Sequence, residues 1–388
     1  MVSWHDDVLA LSRDLHAHPE VAFEETRASA NIAELLEAGG FTVERGTAGL
    51  PTAFTATVGE GDLVVALCVE YDALPGIGHA CGHNLIAGAS VAAALALAPL
   101  AHKLGITLKA IGTPAEEHGG GKVVMLERGA FDGVHLAMMV HPVSEGQTAN
   151  PAGTSAQAVG RYRATFHGRA AHAAAAPHLA INAADAAVLS QVAVGLLRQQ
   201  IPGDHRIGLV VREAGHVTNI IPDTAVVDFE CRAFTLQEFN ALLPRVRSCF
   251  EGAAMATGTS VEIVATEPLY EPLVQDNDLA KHWTQAMALF GHDTSPAQGM
   301  SGGSTDMGNI SQVIPSLHPW MSIPGATAPI HSAAFADVAD SPAAYEAMFE
   351  AATALAFTVT AIVEDPQKYR QFVQNRPVDS LTNTEVRS

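Results

Sequence analysis

Four apolar runs separated by helical stretches set the limits on what this chain can fold into. Thr52 to Val58, Leu63 to Val69, Ile106 to Gly112 and His135 to Val140 read as strands. Helical spacing precedes them, through Val8, Leu11 and Leu15 between Trp4 and Ala17, and through Ala30, Ala33 and Leu36 between Thr26 and Ala38, where Gly39-Gly40 is the stop. An Ala-rich stretch, Ala87 to Ala101, and a helix near Lys122 to Arg128 separate the later strands. This alternation predicts an α/β domain: a mixed, mostly parallel sheet with helices on both faces. Ligand sites in such sheets collect at the carboxyl ends of the strands, so residues that follow these runs can converge.

From about Gly160 the pattern changes. Arg161 to His167, helix Ala180 to Arg198, Ile207 to Glu213, Ala225 to Ala233, helix Leu236 to Ala256 and Ser260 to Ala265 follow the order β-α-β-β-α-β, the ferredoxin-like α+β unit. The expected organisation is a domain formed by 1–157 and 269–388 with a second domain, 158–268, inserted into it. The first pattern resumes after Glu271 and ends with a helix from Pro342 to Val363. The polar, Pro-containing tail from Asp365 is expected to be mobile. With 388 residues, 48% of them hydrophobic and only 16% charged, the chain has enough apolar material for two cores.

The charge balance excludes one class of partner. Lys and Arg number 21 against 41 acids, giving a formal charge of -20, and they form no basic run, so no nucleic-acid partner is expected. Four widely spaced cysteines (Cys68, Cys81, Cys231, Cys249) argue against a disulfide framework and suit a reducing compartment. The start of the chain lacks a basic segment followed by an apolar one, so cytoplasmic location is the expectation. The Ala-rich stretch is bounded by Lys103 and is read as a buried helix, with no membrane partner.

The chemistry-bearing residues stand after the strands. Cys81 and His83 lie in a Gly-containing loop ahead of an apolar helix, and Glu116-Glu117 follow Thr113-Pro114. A thiolate, an imidazole and two carboxylates are the donors that bind zinc or manganese. Adjacent carboxylates without a cation repel each other, so one is expected to ligate while the other takes a proton from the attacking water and later delivers it to the leaving nitrogen. Asp72 ends a buried strand, where it either holds the ring of a ligating His or caps the loop. His141 and His331 also follow apolar segments, but among 18 histidines the residues alone do not single them out.

Taken together, these segments resemble the two-domain metallopeptidases and amidohydrolases that include aminoacylase, glutamate carboxypeptidase and the indoleacetyl-amino acid hydrolases, the twentieth metallopeptidase family, subfamily D. The resemblance rests on Asp14-Leu15-His16-Ala17-His18-Pro19-Glu20, Asp72-Ala73-Leu74-Pro75, Ala80-Cys81-Gly82-His83, Pro114-Ala115-Glu116-Glu117, Ala171-His172-Ala173, Thr218-Asn219-Ile220-Ile221-Pro222, Gly303-Ser304-Thr305-Asp306 and His331-Ser332. The run from Glu70 to Asn84 is most similar to the branch of the aminobenzoyl-glutamate hydrolase subunits and β-alanyl-lysine dipeptidase-like proteins. The resemblance implies that Cys81, His83, Glu117, His141 and His331 hold one or two divalent ions, Zn or Mn, with Glu116 as general base; Asp72 is placed with the catalytic residues as the support of a ligating His. It also implies that His172, in an inserted dimerisation or lid domain, stabilises the oxyanion at a neighbouring subunit's site, which makes a homodimer part of catalysis. Asn219 and Arg232 could bind the substrate's carboxylate or oxyanion; equally, Asn219 serves a turn and Arg232 an ion pair. Gly303 and Ser304, with Gly302 and Thr305, form either a loop of backbone donors for a carboxylate or a plain tight turn. Many relatives carry His-x-Asp where this chain has Glu70-Tyr71-Asp72, which leaves open whether Glu70 is a ligand.

The implied function is metal-dependent hydrolysis of the amide bond in N-acyl amino acids or dipeptides. Two other readings stand beside it: release of ammonia from an aryl amine, and metal binding without turnover. A nucleotide-phosphate loop is absent from the sequence.

Overall fold

Strand burial in the first part of the chain follows from its apolar runs. A computed structural model of the protein describes residues 4–297 and 303–374. Helices α1 (His5–Ala17) and α2 (Thr26–Ala38) lead into β1 (Thr42–Arg45), β2 (Phe54–Val58) and β3 (Leu63–Val69). After α3 (His83–Leu97) and the short α4 (Ala101–Leu104) come β4 (Ile106–Gly112), α5 (Gly121–Glu127), β5 (Leu136–Met138) and β6 (His141–Val143). In β3 every residue but Val64 is buried, as expected of a parallel strand covered on both faces. Helix α3 is buried at all positions but Ala92 and Ala96, because alanine, glycine and serine let neighbouring elements approach it from every side.

The insertion is antiparallel throughout. It comprises β7 (Ala158–His167), β8 (Ala171–His172), α6 (Ala183–Leu197), β9 (Arg206–Glu213), β10 (Ile220–Ile221), β11 (Thr224–Ala233), α7 (Leu236–Thr257) and β12 (Ser260–Ala265). The sheet order β12-β7-β11-β9 is that of a β-α-β-β-α-β unit. Its core includes Phe166, Phe229, Phe239 and Phe250, and a capping box of Thr235 and Glu238 starts α7.

The chain then supplies α8 (Asn277–Leu289), α9 (Met307–Ser311), β13 (Ser316–Leu317), β14 (Trp320–Ser322), α10 (Ala333–Val338), α11 (Pro342–Glu364) and α12 (Pro366–Gln374). The main sheet runs β1-β2-β4-β3-β5-β13, parallel from β4 to β13 and antiparallel at β1 and β2. Contacts divide the chain into one unit of Met1–Ser155, Leu273–Ser301 and Thr305–Ser388 and another of Ala156–Pro272 with Gly302–Ser304. These limits lie outside the expected 158–268. The paired hydrogen bonds between Val159 and Tyr270, and the Gln157 N–H to Gly303 carbonyl bond at 2.7 Å, tie the flanking residues to the second unit.

One expectation fails here. The tail from Asp365 is helical to Gln374: Asp365 Oδ1 accepts from the N–H groups of Gln367 and Lys368, and Phe372 is buried. The Tyr369, Phe372 and Val373 stripe that docks this helix is short enough to be lost among its polar neighbours. The helical run His83–Leu104 and α11 are long and apolar enough to cross a membrane by length and composition. Both are core helices, packed on each other, with Met348 of α11 filling the space that a side chain at Gly88 would need.

Candidate metal centre

Asp72 organises one side of the centre. A carboxylate only accepts hydrogen bonds, so His83 Nδ1–H donates to Asp72 Oδ1 at 3.0 Å, and the Glu117 backbone N–H donates to Oδ2 at the same distance. In the neutral ring this sets the tautomer, with the lone pair on His83 Nε2. That nitrogen is buried without a hydrogen-bond partner, as are Glu117 Oε1 and Glu70 Oε2. Three carboxylate oxygens surround it, Glu70 Oε2 at 3.8 Å, Glu116 Oε2 at 3.9 Å and Glu117 Oε1 at 3.8 Å.

Cys81 faces the same space from the turn before α3. Gly82 has φ +76°, and a side chain there would meet Pro142 Cγ at 2.6 Å, so only glycine lets the Cys81 turn lie against the strand that carries His141. His141 donates from Nδ1 to the Pro142 carbonyl at 2.8 Å, which aims Nε2 at Cys81 Sγ, 3.3 Å away. His331 enters from the loop before α10. Its N–H donates to the Ala80 carbonyl at 2.8 Å, and its Nε2 lies 3.4 Å from Glu117 Oε1. Both His331 and Ala115, the residue before the acid pair, hold left-handed backbone at φ 62° and 61°. Such strain outside glycine concentrates at functional sites.

The donors fall into groups whose ligand atoms lie within 4.8 Å of one another: Cys81, His83 and His141; Cys81, Glu117 and His331; Glu70, His83 and Glu116. Cys81 is common to two of them. Sulfur, imidazole nitrogen and carboxylate oxygen at this spacing, with partnerless buried lone pairs, fit a divalent cation.

Electrostatics agree with the geometry. Burial, then the charges of Glu70 and Glu117, push the Glu116 carboxyl well above the usual carboxylate range. Burial and the Glu117 charge do the same to the Cys81 thiol. Burial opposes the charge on His83, but Asp72 overrides it and holds the imidazole well above its ordinary value. All three directions favour the protonated forms of Glu116, Cys81 and His83, and a bound cation would oppose each of them.

The remaining sequence candidates lie in the second unit. His172 is exposed, and its Nδ1 accepts from the N–H groups of Ala174 and Ala175 at 3.2 and 3.1 Å, so the proton resides on the free Nε2. Strand β8 pairs His172 with Ile220, and the Asn219 carbonyl accepts from Ala173 N–H at 2.9 Å. Arg232 forms an ion pair with Glu230, Nε to Oε1 at 2.9 Å, and donates from Nη1 to Ser304 Oγ at 3.1 Å. Gly303 carries the carbonyl that holds Gln157, while Gly302 lies outside the described residues. Sequence reasoning missed Lys122, a fully buried ammonium that bonds Glu70 and Asp306, and Glu25, which accepts from the Ala115 N–H at 2.9 Å and braces the acid pair. A lysine inside the apolar run Gly121 to Leu126 was the available signal for the first.

Known proteins resemble this chain in sequence and in fold. A family model described as Peptidase family M20/M25/M40 matches residues 66–354. The chain is 36% identical over 376 residues to a Mus musculus protein named Xaa-Arg dipeptidase, covering 92% of this chain and 86% of that one. It is 36% identical over 265 residues to an Escherichia coli protein named as one of the subunits of p-aminobenzoyl-glutamate hydrolase, covering 63% and 54% respectively. A solved Bacillus subtilis structure, described as a dinuclear metal binding peptidase, shares the fold with a TM-score of 0.70 at 24% identity, over 93% of this chain and 99% of that one.

Proposed function

The chain belongs to peptidase family M20/M25/M40 and is a metal-dependent hydrolase of small amide substrates, and we propose that it cleaves dipeptides or N-acyl amino acids with Glu116 as the general base. The observation that carries this reading is the cluster of partnerless buried lone pairs on His83 and Glu117 beside Cys81, His141 and His331. These five residues would hold one or two ions, Zn or Mn. A divalent ion there supplies Lewis acidity, polarising the scissile carbonyl and lowering the pKa of water to about 7.

The protein's own groups do the rest. Glu116 accepts the proton of the water that adds to the amide carbon, then passes it to the nitrogen as the C–N bond breaks, yielding a carboxylic acid and an amine. Asp72 holds His83 and the Glu117 loop in place. Asn219, Arg232, Gly303 and Ser304 would orient the substrate's carboxylate. Dipeptides ending in a basic residue lead the substrate list, because a net charge of -20 attracts cations and a relative is named for arginine. The test is release of free amino acid from a panel of C-terminal Arg and Lys dipeptides, β-alanyl dipeptides, N-acyl amino acids and aminobenzoyl-glutamate, with zinc or manganese added. Absence of cleavage across the panel by metal-loaded protein would reject the reading.

A homodimer in the cytoplasm completes the proposal. Val188, Val192 and Leu196, spaced by four on α6, are 59%, 52% and 71% exposed, an apolar stripe suited to a second copy. His172 would then donate from Nε2 to the developing oxyanion of the partner's site. Losing one such donor costs roughly 2.7 to 4 kcal/mol, so His172→Ala and Glu116→Gln homodimers should each be nearly inactive. A mixed dimer of the two variants should recover activity at the one site with both residues intact. If subunit exchange is verified and no activity returns, His172 does not act across the dimer.

A further inference from the structure

Beneath the centre lies a buried charge cluster with an uneven count. Lys122 Nζ donates to Asp306 Oδ1 at 2.7 Å, and the Lys122 backbone N–H donates to Oδ2 at 2.9 Å, so both oxygens of Asp306 are taken. Lys122 also donates to Glu70 Oε1, and all three side chains are fully buried. Two carboxylates thus share one ammonium. Glu70 Oε2 is left without a hydrogen-bond partner. A buried carboxylate oxygen with no partner is costly, so a ligand is called for on that side. His83 Nε2, equally without a partner, lies 3.8 Å from Glu70 Oε2, and Glu70, His83 and Glu116 place ligand atoms within 4.8 Å of one another.

We propose that Glu70 Oε2 is a further ligand of the metal centre, on its His83 side, and that Lys122 and Asp306 brace the carboxylate in that position. The proposal rests on the metal-centre reading above and adds a residue to it. Its physical sense is division of labour on one side chain: Lys122 holds Oε1, which fixes the direction of Oε2. If Glu70 served only as a partner for an imidazolium at His83, its charge would stabilise the metal-free state, and Glu70→Gln would raise metal affinity instead of lowering it.

The test is calorimetric titration of Zn²⁺ into chelator-stripped parent and Glu70→Gln, with thermal unfolding of each in the absence and presence of Zn²⁺. Glutamine keeps an acceptor for Lys122 and removes the charge. The metal-free variant should therefore melt no lower than the parent, zinc affinity should fall by at least about 10-fold, and the zinc-induced rise in Tm should shrink. Unchanged zinc affinity with an unchanged rise in Tm overturns the proposal and leaves the metal centre standing. A parent protein that takes up no zinc overturns both. Should Glu70→Gln fail to fold, Glu70→Asp keeps the charge and shortens its reach. The visible d–d bands of the Co²⁺-loaded protein should then shift, and bands identical to the parent's overturn the proposal.

Discussion

Glu116→Gln should retain bound metal and lose between about 10² and 10⁴ of turnover. Glutamine preserves the shape of the side chain but cannot accept the proton of the attacking water or return it to the leaving nitrogen. Its neighbour provides the contrast. Glu117 Oε1 is a partnerless lone pair beside His331 and His83, so Glu117→Gln should lower metal content as well as activity. Turnover numbers on a cleaved dipeptide, with metal content from elemental analysis, separate the two roles. Activity of Glu116→Gln within a few-fold of the parent would assign water activation to another residue.

Cys81→Ala should have the larger effect on metal. The thiol belongs to both the group with His83 and His141 and the group with Glu117 and His331, so its removal takes a donor from each. His141→Ala and His331→Ala should each weaken only one group. Replacing a ligand costs more than replacing the outer partners whose loss already weakens binding 10 to 100-fold, so affinity should fall by at least about 100-fold in Cys81→Ala. The fold should persist, because the side chain is small and alanine occupies less of the same space. Metal uptake by the parent should also strengthen as pH rises: burial and Glu117 hold the Cys81 thiol well above its ordinary value, and binding must displace its proton. Equilibrium dialysis against a chelator buffer at two pH values checks both statements. Parent-like metal content in Cys81→Ala would remove this residue from the centre.

Legibility in the sequence followed the reach of the forces involved. Leu63–Val69 was readable to the residue, since a buried parallel strand is apolar along its whole length, and so was Ile106–Gly112, whose apolar positions alternate with Thr107 and Lys109. Short pieces such as Ser316–Leu317 and Trp320–Ser322 were not, because pairing with distant partners, rather than their own composition, makes them strands. The Cys81, His83, Glu116 and Glu117 donors stood out because their local chemistry is costly without a cation. Lys122 did not, although it is central: only the fold brings Glu70 and Asp306 to it across 52 and 184 positions. His141 and His331 needed the family resemblance for the same reason. The docking of Pro366–Gln374 depended on Phe372 alone being fully covered, too small a signal in a polar segment.

Stripping the protein with a chelator and titrating Zn²⁺ or Mn²⁺ back while following amine release from a cleaved dipeptide tests the metal centre most directly. No release should occur from the stripped protein, and activity should return in proportion to metal bound, reaching its limit at one or two ions per chain. Full turnover by protein from which metal has been removed below detection would contradict the assignment of Cys81, His83, Glu117, His141 and His331 as the seat of catalysis.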